Sequence, residues 1–178
     1  MNKTPIAELL ARKHQLFIED IKRLSDENFV FSPVGKWSAG QQLDHLVRST
    51  SPVNLAFSLP GILITLFFGK ANRPSRTYDG LVEKYQAKLA LGGKASGRFI
   101  PKPVAVNQRD QLIRKLERLV ESLIRRAQKY PEDQLDRLLL PHPLLGKLTF
   151  REMLYFTTYH VEHHHKQVAA HLKETIKS

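Results

Sequence analysis

The sequence predicts an all-α protein, a four-helix bundle with a long crossover connection between helices 2 and 3. Three observations carry this reading. Four stretches repeat apolar residues at helical spacing. Two of them begin at a Ser or Thr followed three residues later by Gln or Glu, the capping-box pattern. No stretch shows the alternation of a half-buried strand. With 178 residues the chain suits a single domain, residues 1–178.

The first helix is expected from Thr4 to Leu24. Thr4 is placed to cap it, and Pro5 fits the first helical position. Ile6, Leu10, Phe17 and Ile21 form its apolar face. The second opens at the Ser38/Gln41 box and carries Leu46, Val53 and Phe57 up to the Pro60-Gly61 break. The crossover, about residues 61–106, holds a short apolar piece, Ile62–Phe68, and a helix over Asp79–Leu91 that Gly92-Gly93 ends. Lys94–Val106, with two prolines, reads as a loop. The third long helix is expected from an Asn107 cap to Tyr130, where Pro131 stops it. The fourth opens at the Thr149/Glu152 box and runs to about Thr175.

Composition narrows the function classes. The chain has no cysteine, which excludes disulfides, thiolate ligands and a Cys nucleophile. Met1–Leu10 lacks an apolar core behind a basic start, so no signal peptide is expected and cytoplasmic residence is the default. The most apolar run, Leu55–Phe68, is interrupted by Ser58, Pro60 and Gly61 and falls short of the ~20 residues a spanning helix needs, so no membrane partner is expected. The net charge of +11 is concentrated: residues 62–129 alone carry +10. Such an excess invites a nucleic-acid reading. Aromatic residues are sparse along that segment, so no base-stacking platform is apparent and this reading is not favoured.

Five of eight histidines fall within Tyr159–Leu172. At about 100° per residue, Phe156, Thr157, His160, His164, Gln167 and His171 lie within about 60° of Met153. His163 sits at the edge of that stripe, and His165 points away with Glu162. His160 and His164, four apart, therefore face the core one above the other, within reach of one metal ion. Two core histidines hydrogen-bonded to other helices are an equal alternative. His45, on the buried stripe of helix 2, leads as a third ligand; His14 competes but reads first as a satisfied core residue. His142, between two prolines, reads as a solvated loop residue.

Two blocks carry a resemblance. Lys36-Trp37-Ser38-Ala39-Gly40-Gln41-Gln42-Leu43-Asp44-His45-Leu46 is similar to a "W-S … H-L" block. Gly146-Lys147-Leu148-Thr149, continued by His160-Val161-Glu162-His163-His164-His165-Lys166-Gln167, is similar to a "G-x-L-T … H-x-x-H-H-x-x-Q" ending. In this order they resemble the DinB-like superfamily of helical bundles, which includes YfiT-type metal-dependent hydrolases. The resemblance spans essentially the whole chain. It implies His45, His160 and His164 as ligands of a divalent metal, commonly nickel or zinc, with manganese or iron as alternatives. It also implies a frequent homodimer and, in some relatives, transfer of low-molecular-weight thiols. The basic crossover departs from the family pattern.

The leading expectation is thus a metal-dependent enzyme acting on a small molecule, a hydrolase or thiol transferase, with a three-histidine site that keeps a coordination position open. A non-catalytic metal-binding protein and a basic nucleic-acid-binding protein are the alternatives. Asp44, His163 and Gln167 are candidates for orienting the ligands from behind. Glu162 creates neither HExxH nor HxxEH, so a zincin-type protease is rejected. No general base is identified.

Overall fold

Lysine 3 decides where the first helix begins. In the computed structural model, which describes residues 1–32 and 34–175 with side chains through Leu172, α1 spans Lys3–Arg23 and Asn2, not Thr4, is its N-cap. The Lys3 backbone N–H donates to Glu132 Oε1 (3.0 Å), and its ammonium donates to the Gln128 (2.8 Å) and Tyr130 (3.0 Å) carbonyls. Those carbonyls close the third long helix, α6 (Arg109–Lys129), at the dipole end that favours a cation. Pro5 still lies in the first turn, where its missing N–H costs nothing.

Both capping boxes form. Helix α3 (Ala39–Ala56) opens with Gln41 N–H donating to Ser38 Oγ (3.2 Å) and Ser38 N–H to Gln41 Oε1 (3.0 Å). Helix α8 (Phe150–Thr175) opens with Glu152 N–H on Thr149 Oγ1 (3.1 Å) and Thr149 N–H on Glu152 Oε2 (2.9 Å). Helix α6 starts two residues beyond the expected Asn107 cap. Val106–Gln108 instead forms a 3-10 turn, closed by the Ala105 N–H on Gln108 Oε1 (2.9 Å).

These helices make the expected bundle. α1 packs on α6 and α8, and α3 packs on the same two. Phe17, Ile21, Leu43, Leu116, Leu123 and Val161 fill the space between them and are essentially inaccessible to water.

Four elements depart from the expectation. Short helices α2 (Asp26–Val30) and α7 (Glu132–Arg137) are too brief to show a helical period. In the crossover the short apolar piece forms α4 (Gly61–Phe68) and the expected helix over Asp79–Leu91 forms as α5 (Tyr78–Ala90), which lies across α8. The absence of strands is corrected by a hairpin. β1 (Leu139–His142) pairs antiparallel with β2 (Gly146–Thr149), Leu140 opposite Leu148 and His142 opposite Gly146. Each strand has only four residues and β1 contains Pro141, so alternation cannot develop. Gly146 closes the turn at φ 77°, a conformation that glycine adopts without strain.

Among the described residues, no single helix is long and apolar enough to cross a membrane. α3 and α4 together have the length and hydropathy, but they bend by 108° at the break, and much of α3 is buried in the bundle.

The crossover is tied to the bundle by one carboxylate. Glu152, with a fully buried side chain, accepts from Arg73 Nη1 (2.7 Å) and Nη2 (2.8 Å), Arg76 N–H (2.8 Å) and Arg76 Nη1 (3.0 Å), besides its capping bond. Burial alone would raise its pKa. The Arg73 hydrogen bonds and the backbone donors of Arg76 and Thr149 overcome this and hold it at about 2, against an ordinary 4.5. A depressed carboxylate stabilises the fold above its unfolded pKa and loses that contribution as pH falls through its folded one. Glu152→Gln should therefore destabilise the protein by about 3 kcal/mol at neutral pH. Chemical denaturation as a function of pH checks this. The gap between wild type and variant should be full above pH 4.5 and close as pH falls toward 2. A gap that does not change with pH would contradict the assignment.

Candidate metal centre

Helix periodicity and one cross-bundle contact bring three imidazoles together. His160 and His164 lie one turn apart on α8, and His45 faces them from α3. All three are buried, and their ligand-capable nitrogens lie within 4.8 Å of one another. The Nε2 atoms converge: His45 to His160 is 3.2 Å and His164 to His160 is 2.9 Å. Three nitrogens at 2.0–2.1 Å around a tetrahedral zinc ion would stand roughly 3.3 Å apart, so the spacing suits a single ion.

The opposite nitrogens are each directed to an oxygen. His45 Nδ1–H donates to the Phe99 carbonyl (2.7 Å), and His164 Nδ1–H donates to Gln42 Oε1. Ser49 Oγ lies 3.5 Å from His160 Nδ1, while its own proton goes to the carbonyls of His45 and Leu46. With the Nδ1 positions protonated, the Nε2 lone pairs face one another and could hold a cation together.

Burial pushes all three toward the neutral form. It is the largest cause for each ring. His160 and His164, which also feel the neighbouring imidazoles, lie well below the ordinary 6.5. His45 is lowered less, because the Phe99 carbonyl and the Asp44 charge oppose burial. Neutral imidazole is the form that binds metal. Trp37 covers the cluster, with its ring 5.0 Å from His45 and stacked 6.3 Å from His164.

Asp44, His163 and Gln167 border the cluster, with Gln167 hydrogen-bonded to His164, whereas His14 and His165 lie apart from it. Asp44 pairs with Arg48 Nε (2.5 Å) and, among the described residues, makes no hydrogen bond to an imidazole. His163 and Gln167 bond to each other (2.9 Å), and the His163 ring packs 5.2 Å from His164. His14 is buried apart from the cluster: its Nδ1–H donates to the Leu10 carbonyl (2.9 Å), and desolvation lowers it to about 4. His165 turns outward to Asp20 (2.6 Å), and Glu162 pairs with Lys13 and Lys166. The residues that accept from the imidazoles, Gln42 and Ser49, were missed from sequence. Both lie within one helical turn of His45, a signal that could have found them.

His142 also departs from expectation. It is half-buried on β1, its ring 4.2 Å from Phe156, which stacks 4.7 Å from His160. Its Nδ1 accepts from the N–H groups of Leu144 and Leu145, both 3.1 Å. Desolvation lowers its pKa to about 4. Proline neighbours suggested a loop, whereas the hairpin folds the imidazole inward.

His45 and His160 line one side of a cavity of about 510 Å³, closed by α4, α5, the hairpin and the 94–99 segment. The basic face of α6 lies elsewhere, around Arg114, Lys115, Arg118 and Arg125, with Glu121 among them. Several other cations of the middle segment are used internally. Arg73 and Arg76 hold Glu152, Arg109 sits 4.4 Å over the Phe29 ring, and Arg126 bonds Asn54.

A sequence model of the DinB superfamily matches residues 9–168. None of the curated proteins matches the chain. Among solved structures, YfiT from Bacillus subtilis has a TM-score of 0.62 at 17% identity, over 96% of this chain and 87% of that one. YfiT is described as a probable metal-dependent hydrolase with an unusual four-helix bundle topology. At this identity the likeness concerns the fold.

Replacing Gln42 by Leu should free His164 Nδ1 and lower affinity for Zn²⁺ roughly 10–100-fold. Competition with a calibrated chelator measures it. An unchanged affinity would show that the Gln42 contact does not orient a ligand.

Proposed function

The chain belongs to the DinB superfamily, and from that premise we propose that it is a divalent-metal-dependent hydrolase whose ion is held by Nε2 of His45, His160 and His164. The observation that carries this is the convergence of those three nitrogens at the edge of a cavity. A set of neutral imidazoles suits zinc or nickel, with manganese and iron less well matched. Three protein ligands would leave such an ion a coordination position for water or substrate, and two of them, His45 and His160, line the cavity. When bound, the ion supplies Lewis acidity, polarising a substrate carbonyl and acidifying water.

The chain's own residues do the rest. Phe99, Gln42 and Ser49 fix ring orientation by accepting from the Nδ1 side. Trp37 packs against His45 and Phe156 stacks on His160, which limits the freedom of both rings. Hydrolysis is preferred to thiol transfer because the cavity walls are mostly apolar, whereas thiols such as glutathione carry several charges. A cytoplasmic location, a small-molecule substrate and a homodimer remain part of the proposal, carried over from the sequence and its family resemblance.

Elemental analysis of purified protein tests the ligand set. Wild type should retain about one divalent ion per chain. His45→Ala and the double variant His160→Ala/His164→Ala should each lose most of it. Protein that holds no metal and binds none on titration would sink the reading. Retention by His45→Ala alone would shift the third ligand to another residue, His14 being the rival named by the sequence.

A further inference from the structure

The cavity beside the imidazoles has a chemistry of its own. Its wall is largely apolar, with Leu59, Ile64, Phe68, Leu89, Leu144 and Phe156 among the lining side chains. Among the described residues no aspartate or glutamate lines it, and its only fully charged members are Lys94 and Arg98, both exposed at the mouth. The Arg98 guanidinium rests 5.1 Å from the Phe99 ring, and no carboxylate among the described residues pairs with it. Arg98 is also next to the metal cluster along the chain, because the Phe99 carbonyl receives the His45 Nδ1 proton. A cationic mouth, the candidate metal ligands and an apolar chamber therefore adjoin one another.

His142 adds a polar group to that chamber. Two backbone N–H groups occupy its Nδ1. The ring proton is thereby placed on Nε2, which makes no hydrogen bond within the described structure. An otherwise apolar wall thus carries an N–H donor of fixed tautomer.

The geometry points to an acyl conjugate as the ligand of this cavity: an apolar acyl chain joined by an amide or ester bond to a small anionic head. The chain lies against the leucine and phenylalanine wall, and the head lies at Arg98 and Lys94. The linkage falls between them, beside His45 and His160, and its carbonyl is the acceptor such a ligand offers to His142. A cavity of about 510 Å³ is within the usual range for a ligand of this size. The inference rests on the hydrolase reading for the ligand's fate. Hydrolysis adds water across the acyl C–N or C–O bond; the chain leaves as a carboxylic acid, and the head takes up the proton as an amine or alcohol.

Calorimetric titration with N-acylglycines from hexanoyl to dodecanoyl tests the ligand class, using the protein as purified and again after chelation. Dissociation constants should fall about fourfold per added methylene until the cavity is filled. Arg98→Glu should weaken decanoylglycine by roughly tenfold and leave the neutral decanoylglycinamide within about twofold. Arg98 is exposed, so this variant should fold. A second variant, Ala95→Trp in the cavity lining, should shorten the longest chain that still gains affinity. A flat ladder, or an equal response of acid and amide to Arg98→Glu, overturns the inference. Glycine release in the same samples separates the two readings. An intact ladder without glycine sinks the hydrolase and leaves the ligand class standing. Glycine release with a flat ladder does the reverse.

Discussion

The site depends on a buried carboxylate that is not part of it. Glu152 caps the helix that carries His160 and His164, and it also receives Arg73 and Arg76 from the crossover. One side chain therefore fixes the start of α8 and the path of the segment that leads into α5. That path matters because residues further along the same segment complete the cluster: the 94–99 stretch returns to α3, where Phe99 accepts from His45. A carboxylate without donors would be costly at this depth. With five hydrogen bonds it becomes a rigid joint between bundle and crossover.

The positive charge of the middle segment takes on a different meaning once these partners are known. An excess of +10 in one stretch suggested a surface for polyanions. Arg73 and Arg76 are instead internal cross-links, and Arg109 and Arg126 tie α6 to α2 and α3. The remaining basic face of α6 carries no aromatic residues, as the sequence already indicated. Two exposed cations, Lys94 and Arg98, border the cavity, where their effect is local.

The bundle was legible because helices of about twenty residues repeat their apolar positions often enough to be counted, and because two capping boxes marked where helices begin. The pairing of His160 with His164 followed from the same period. What escaped was set by contacts distant in sequence. His142 is turned inward by the hairpin, and four-residue strands containing a proline leave no pattern. The partners of the imidazole Nδ1 atoms come from three sources: a glutamine and a serine within a turn of His45, and a backbone carbonyl 54 residues away along the chain. The first two share a helix face with His45 and could be anticipated; the carbonyl could not. His14 shows the converse limit. Its position within an apolar face marked it as core, but periodicity could not say that its hydrogen bond would be to its own helix.

The three imidazoles pose the last physical question. Burying them disfavours their protonated forms, and each Nδ1 proton is directed to an oxygen, so three Nε2 lone pairs face one another at close range. Neutral lone pairs at 2.9 and 3.2 Å repel unless something positive lies between them. A proton is disfavoured there by desolvation, while a divalent ion is offered three oriented donors at once. An ion held by these three nitrogens would bind the folded chain, in which they converge, in preference to the unfolded one, and would so add to the stability of the bundle that brings α3 and α8 together.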